Sequence, residues 1–176
     1  IKKRSGNKKI TLGRTLYINN QIFINEIESK FNVEKELLLS LMGIETNFGN
    51  YLGKMDIVSS LATLSYDKRR SEFFTSELIT LLILFDKGII NPDNYLGSWA
   101  GAFGNFQFMP STIENYAIDY NNNTDIELKK IDDSFASAAN YLKKIGWKKN
   151  TPCFIPIELT DEIPNKYLNT SAKKIK

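Results

Sequence analysis

The 176 residues include no histidine and a single cysteine, Cys153. Without histidine there is no Ser-His-Asp or Cys-His nucleophilic machinery, no His-based zinc site and no imidazole acid/base chemistry. Carboxylates are left as the leading acid/base groups. One cysteine forbids an intrachain disulfide and says nothing decisive about redox compartment. Long apolar runs are also missing: the longest, Leu78 to Phe85, is interrupted by Thr80, far short of the roughly 20 residues a membrane span requires. The start has neither an apolar signal core nor an initiator Met, and reads as a processed or trimmed end. Nor does one sign of charge dominate. The 23 basic and 20 acidic residues leave +3, too little to demand nucleic acid but compatible with an anionic polymer as partner. The excess sits at the ends, in Lys2, Lys3, Arg4, Lys8 and Lys9 and in Lys173, Lys174 and Lys176, as solvated termini would have it.

What is present is enough apolar material for one core: 42% hydrophobic and 12% aromatic residues suit a single domain of this length. Residues 1 to 18 are polar and basic, without a sustained period, and read as a lead-in. Helical stripes follow at Gln21 to Phe31 (Ile22, Ile24, Ile27, Phe31), Leu37 to Gly49, Asp56 to Tyr66 (Ile57, Leu61, Leu64) and Arg69 to Lys87 (Phe73, Phe74, Leu78, Leu81, Leu82, Phe85). The last of these is the expected core helix. Asn32 reads as a break and a cap for the next helix, and Gly49 as a left-handed stop. Ser111 and Glu114 form an S-x-x-E capping box for a helix to about Ile118. A further helix, Ser134 to Ile145, is small on one face through Ala136, Ala138 and Ala139. Beyond Trp147, Pro152, Pro156 and Pro164 predict irregular chain with one short strand near Phe154 to Leu159. The fold class is mainly α.

Two stretches stand out chemically. In Leu37 to Gly49, Leu38, Leu41, Met42 and Glu45 fall at i, i+3, i+4 and i+7, which aligns a carboxyl with core-facing residues. Pressed against apolar neighbours, it would hold its proton more tightly, as a general acid must. The alternative is that Glu45 stands on the edge of the stripe near the helix end and reaches water. Residues 89 to 109 break the helical rhythm with Pro92, Gly97, Gly101 and Gly104, interleaved with Tyr95, Trp99, Phe103, Phe106 and Phe108. Loops of this length inside compact domains tend to be functional, and aromatic faces stack on sugar rings or bases. A packed aromatic turn is the other reading. Phosphate-loop patterns, GxxxxGK[ST] and GxGxxG, are absent.

E-T-N-F-G at Glu45 to Gly49, A-T-L-S-Y at Ala62 to Tyr66, R-R-S-E-F-F at Arg69 to Phe74, G-S-W-A-G-A-F-G-N-F-Q-F-M-P-S at Gly97 to Ser111 and A-N-Y at Ala139 to Tyr141 together resemble the membrane-bound lytic murein transglycosylase B family. The resemblance spans roughly residues 20 to 150. It implies a lysozyme-like helical domain, residues 19 to 150, with the Gly/aromatic-rich stretch as active-site loop. It also implies cleavage of the β-1,4 bond between N-acetylmuramic acid and N-acetylglucosamine in peptidoglycan, with formation of 1,6-anhydromuramoyl ends. On the matching positions Glu45 is the lone catalytic acid/base, Ser98 and Gln107 are polar cleft residues that can donate hydrogen bonds to the carboxylate or an N-acetyl group, and Tyr141 is a cleft tyrosine.

No cofactor is required for that chemistry. The stretch from Asp119 to Asp133 carries oxygens at alternate positions, Asp119, Asn121, Asn123 and Asp125, and ends at Asp133, a pattern that suits calcium; the family has a lengthened EF-hand-like loop here. Asn122 and Thr124 stand where glycine is favoured and two ligands are neutral, which predicts weak affinity, and a plain solvated turn is the alternative. The expected partner is the glycan strand of peptidoglycan, with no nucleic acid, and with a membrane only if a longer form is lipid-anchored. The expected location is the periplasm or cell envelope. One departure concerns residues 151 to 176, where the family's C-terminal Tyr-Asn cleft segment has no match before Lys176. The rival readings are therefore a catalytically inactive peptidoglycan-binding module and a hydrolytic muramidase.

Overall fold

The computed structural model describes residues 6 to 152 except Asn94, together with Pro156 and Glu158. Among these residues seven helices follow in order, α1 (Asn7–Asn19), α2 (Gln21–Phe31), α3 (Lys35–Thr46), α4 (Ile57–Tyr66), α5 (Ser71–Asp86), α6 (Pro110–Tyr116) and α7 (Ile131–Lys144). Two short strands, β1 (Met55–Asp56) and β2 (Leu96–Gly97), pair antiparallel with Met55 opposite Gly97. The architecture is mainly helical, as the periodicities predict. Among the described residues no helix is long and apolar enough to cross a membrane.

The core is built where stripes meet: Ile24, Ile27 and Phe31 of α2, Leu38 and Met42 of α3, Ile57 and Leu61 of α4, Leu81 and Leu84 of α5, and Phe135 of α7 are all buried. The most deeply set helix is α7 rather than α5. Eight of its 14 residues are buried, against four of 16 in α5, where Phe73 and Leu82 face solvent. The reason is size. Ala136, Ala138 and Ala139 let neighbouring helices approach closely, and Ser134 and Ser137 bury hydroxyls that meet Asn105 and the Ile118 N–H.

The lead-in expected over residues 1 to 18 contains α1, which packs on α2 and α3. It has no fully buried residue, so it lacks the apolar stripe by which a helix is recognised. Asn32 adopts a left-handed conformation and ends α2, while α3 starts at Glu34 without a side-chain cap. The Ser111–Glu114 box does not form. The Ser111 N–H (2.9 Å) and hydroxyl (2.6 Å) donate instead to the buried Glu77 of α5, so one carboxylate caps α6 from a neighbouring helix. Asp56 does cap α4, accepting from the Ser59 N–H at 2.7 Å. The strand expected near Phe154 to Leu159 lies almost wholly outside the described residues.

The segment after α7 is tied back to the α2–α3 corner by two carboxylates. Glu28 accepts from Lys35 at 2.6 Å and from Lys149 at 2.9 Å, and Glu34 accepts from the Trp147 indole at 2.8 Å and from the Asn150 N–H. Burial alone would raise the pKa of Glu28, but the two ammonium groups hold it below its ordinary 4.5. A depressed carboxylate adds stability above its unfolded pKa and loses it as pH falls through the folded value. Glu28→Gln should therefore cost roughly 1–2 kcal/mol at pH 7. The cost should shrink as pH drops below 4.5; urea melts at pH 7 and pH 3 measure it, and an equal cost at both would refute the assigned role.

Candidate active site

Glu45 occupies the last turn of α3. Its neighbours on the predicted stripe sort by depth: Leu38 and Met42 are buried, Leu41 is half-buried and Glu45 is exposed. Of the two readings of Glu45, the one that holds is the edge of the stripe near the helix end, where the carboxyl reaches water. Leu41 and Glu45, one turn apart, form the edge of α3 that faces a cleft of about 230 Å³. Its other walls are Phe106, Gln107, Phe108 and Met109 from the loop, Thr112 from α6, and Ala138, Tyr141 and Leu142 from α7. Glu45 is the only carboxylate among these lining residues, and it makes no hydrogen bond or ion pair among the described residues.

Gln107 and Tyr141 thus come together with Glu45 across some 100 residues of sequence. Gln107 sits in left-handed backbone, φ 51°. Its side-chain amide donates to the carbonyls of Gly104 (3.0 Å) and Leu52 (3.4 Å). Those donors are engaged by the protein, contrary to the donor role expected for them, and Oε1 is left as an acceptor for a ligand hydroxyl or N–H. Tyr141 is wedged edge-on against Tyr116, ring centroids 5.1 Å apart, and lies 5.8 Å from the ring of Phe108. Its hydroxyl has no partner among the described residues.

Ser98 is not among the residues lining this cleft. Its hydroxyl oxygen accepts the N–H groups of Ala102 (2.9 Å) and Ala100 (3.3 Å), and its own N–H donates to the Ala102 carbonyl at 2.8 Å. It closes a tight turn. Behind that turn the loop aromatics face inward: Tyr95 stacks on Phe103 at 4.1 Å, and Phe106 meets Phe135 edge-on at 5.3 Å. Phe103 is therefore unavailable to a sugar, whereas Trp99 is 69% exposed.

Two residues that hold the site were not evident from sequence. Thr46, wholly buried, donates through Oγ1 to the Asn105 carbonyl at 2.9 Å and accepts the Gly49 N–H at 3.1 Å. Asn105, also buried, donates to Ser134 Oγ at 3.0 Å and to the Lys129 carbonyl at 3.2 Å. Neither residue type marks itself as buried in a single sequence; the only signal was position, beside Glu45 and inside the glycine-aromatic stretch.

In the oxygen-rich loop the side chains turn onto the loop's own backbone. Asp119 accepts from the N–H groups of Asn123 and Thr124, Asn121 from Asn123, and Asn123 from Asp125. Asp133 is fully buried and accepts from Tyr120 (2.9 Å) and Glu127 (2.8 Å). Burial, and then the negative charges of Asp132 and Asp119, push its pKa up despite those two bonds. Among the described residues no three His, Cys, Asp or Glu groups converge to hold an ion, so the amide oxygens of Asn121 and Asn123 would have to complete any site. Carboxylate and amide oxygens are the ligand types calcium takes, and in donor chemistry alone the set fits that ion.

A second, larger hollow of about 620 Å³ lies between α1 and α3, lined by Ile10, Tyr17, Leu39, Ile44 and Phe48 among others. Glu45 does not line it, and its only carboxylate is Glu36 on the rim.

The family model described as "Transglycosylase SLT domain" matches residues 1–176. The chain is 39% identical over 139 residues to membrane-bound lytic murein transglycosylase B of Escherichia coli strain K12, a match that covers 74% of this chain and 38% of that protein. Among solved structures it resembles SltB3 from Pseudomonas aeruginosa in complex with NAG-NAM-pentapeptide, with TM-score 0.82 and 30% identity over 86% of this chain and 41% of that one. It also resembles the Escherichia coli lytic transglycosylase Slt35 in complex with calcium, with TM-score 0.81 and 35% identity over 86% of this chain and 49% of that one. The chain spans between about two fifths and half of the length of these relatives. By the family match over its whole length and by these shared helices, it belongs to the transglycosylase SLT family.

Proposed function

We propose that the chain is a lytic transglycosylase that cleaves the β-1,4 bond between N-acetylmuramic acid and N-acetylglucosamine in peptidoglycan and leaves 1,6-anhydromuramoyl ends, with residues 19 to 150 as the catalytic unit. The observation that carries this is a lone carboxylate, Glu45, in a cleft walled by Gln107 and Tyr141. One carboxyl suffices for both halves of the reaction. As an acid it protonates the glycosidic oxygen as that bond breaks; as the resulting carboxylate it removes the proton from the muramic acid's own 6-hydroxyl, which closes on C1. Positive charge developing at C1 is met by the substrate's 2-acetamido oxygen in place of a second enzyme carboxylate. Gln107 Oε1 and the Tyr141 hydroxyl are assigned to holding the sugar, and Ser98 to shaping the loop behind them. The related SltB3 bound to a NAG-NAM-pentapeptide supports a peptidoglycan strand as partner. Such a substrate lies in the periplasm or cell envelope, and we assign the protein there.

Glu45→Gln should lower release of anhydromuropeptides from sacculi by about a thousandfold while the circular dichroism spectrum is unchanged. Tyr141→Phe should cost about tenfold, as loss of one hydrogen bond to a charged or developing-charge group does. Mass spectrometry of the digest decides: reducing ends would make the protein a hydrolytic muramidase, intact sacculi with retained binding would make it a non-catalytic module, and undiminished release by Glu45→Gln would remove Glu45 from the chemistry.

For the loop from Asp119 to Asp133 we propose weak calcium binding through Asp119, Asn121, Asn123, Asp125 and Asp133, a reading supported by the related Slt35 having been solved in complex with calcium. The ion would neutralise charge and stiffen the loop, with no part in bond cleavage. Dissociation should fall near 10⁻⁴–10⁻³ M, the weak end for oxygen sites. Millimolar CaCl₂ should accordingly raise Tm by a few degrees, reversibly with EDTA, and Asp119→Asn should abolish the shift. No shift at ~10 mM, well above that range, would leave the loop a self-capped turn.

A further inference from the structure

We infer that Phe48 is the positioning residue that aims Glu45 into the cleft, an assignment that rests on Glu45 being the acid/base. Among the described residues Glu45 has no side-chain partner to fix its direction, so its aim comes from the backbone that carries it. That backbone leaves α3 abruptly. Asn47, Phe48 and Gly49 are left-handed in succession, with φ of 52°, 60° and 81°. A glycine adopts this conformation freely, whereas an aromatic residue there is strained and persists only where surrounding contacts over-determine it.

Those contacts are visible. The tip of the Phe48 ring seats in a slot bounded by Gly43 of α3 and Gly13 of α1. A Cβ placed on either glycine would stand 2.7 Å and 2.9 Å, respectively, from the ring's Cζ. Two helices thus each omit a side chain where the ring enters. The Phe48 N–H donates back to the Met42 carbonyl at 3.2 Å, and Thr46, between Glu45 and this turn, is pinned to Asn105. Glu45 is therefore the residue just before two anchors, one polar and directed into the cleft loop, one aromatic and directed into α1. Phe48 is half-buried and takes no part in the main hydrophobic core, so filling the core does not explain it. Phe48, Gly13 and Gly43 together line the 620 Å³ hollow between α1 and α3, and within it the close approach of the ring tip to the two glycines is what seats it.

Removing the ring frees the last turn of α3 to fray or rotate, which displaces the carboxyl without altering the surfaces that bind sugar. Displacements of about 1 Å cost up to ~100-fold in rate. Phe48→Ala should consequently lower kcat on purified glycan strands by about tenfold to a hundredfold with KM changed less than about twofold. Phe48→Leu should recover part of the loss, and Gly43→Ala, which evicts the ring, should reproduce it. Leu84→Ala, a core truncation in α5 remote from the cleft, supplies a comparable fall in Tm with kcat retained at an assay temperature below both melts. Nuclear Overhauser effects from the Glu45 side chain to the Tyr141 ring, expected in the parent chain because both line one cleft, should vanish in Phe48→Ala and Gly43→Ala. Equal kcat in Phe48→Ala and Leu84→Ala, or Overhauser contacts that survive in Phe48→Ala, would overturn the assignment. Failure of Glu45→Gln to reduce release overturns instead the catalytic reading on which it rests. Should Phe48→Ala not fold, Phe48→Leu and Gly43→Ala give the same two readouts.

Discussion

The buried hydroxyl of Thr46 is the joint on which the site depends. It lies one residue after Glu45, donates to the Asn105 carbonyl and accepts from the Gly49 N–H, so it joins the end of α3 to the loop that forms the opposite wall of the cleft. Asn105 carries the connection onward: its N–H donates to the Leu128 carbonyl at 2.8 Å and its amide reaches Ser134 at the start of α7. A buried polar group left without a partner costs about 1–3 kcal/mol. A slip of the loop by one residue would strand several at once, and this penalty, more than any apolar contact, fixes the register of Gln107 against Glu45.

The loop between α5 and α6 follows from the same requirement. All its rings but the exposed Trp99 are largely buried, with Tyr95 and Phe103 stacked and Phe106 against Phe135, and its glycines are placed where backbone comes too close for a side chain. At Gly104, with φ of 77°, an added Cβ would lie 2.7 Å from Leu128. A long connection whose regular structure is limited to the two residues of β2 and one bridge between Phe103 and Phe108 is thereby held in one path. Rigidity is what a site built from loop residues needs, because polar groups help a reaction only when they are held in place beforehand.

The sequence discloses the helices through periodicity where a helix buries a stripe, and is silent where it does not. α2 matches the residues expected of it, and α3, α4, α5 and α7 lie within a few residues of their predicted limits; α1 escapes because no side chain on it is fully buried. Caps were harder to read. Asp56 holds its own N–H partner three residues on, a local bond that sequence can encode, whereas Ser111 is satisfied by Glu77, 34 residues away, which only the packing of α5 on α6 can supply. Within the cleft, Glu45, Gln107 and Tyr141 were suggested by motif, but their depth was not. The periodicity of α3 cannot distinguish the centre of a stripe from its edge at a helix end, and Ser98, polar and inside the loop, proved to have a nearer use in the turn that ends at Ala102.

The exposure of Glu45 bears on how the proposed reaction chooses its nucleophile. In the open cleft the carboxyl faces water on one side and Leu41, Phe106, Phe108, Met109 and Leu142 on the others. A sugar ring seated over these apolar groups displaces the water from around the carboxyl. Loss of that hydration disfavours the charged form, so the substrate supplies the desolvation that the α3 stripe does not. With Gln107 Oε1 and the Tyr141 hydroxyl engaged by that sugar, the apolar remainder of the walls gives an intruding water few groups to bond with, and a buried water needs two to four. The nearest hydroxyl to the forming cation is then the substrate's own. On this account transfer within the sugar is favoured over hydrolysis because a seated sugar occupies Gln107 and Tyr141, the polar wall groups that could otherwise hold a water opposite Glu45, and a single carboxylate suffices because its proton and the nucleophile both remain in one desolvated space.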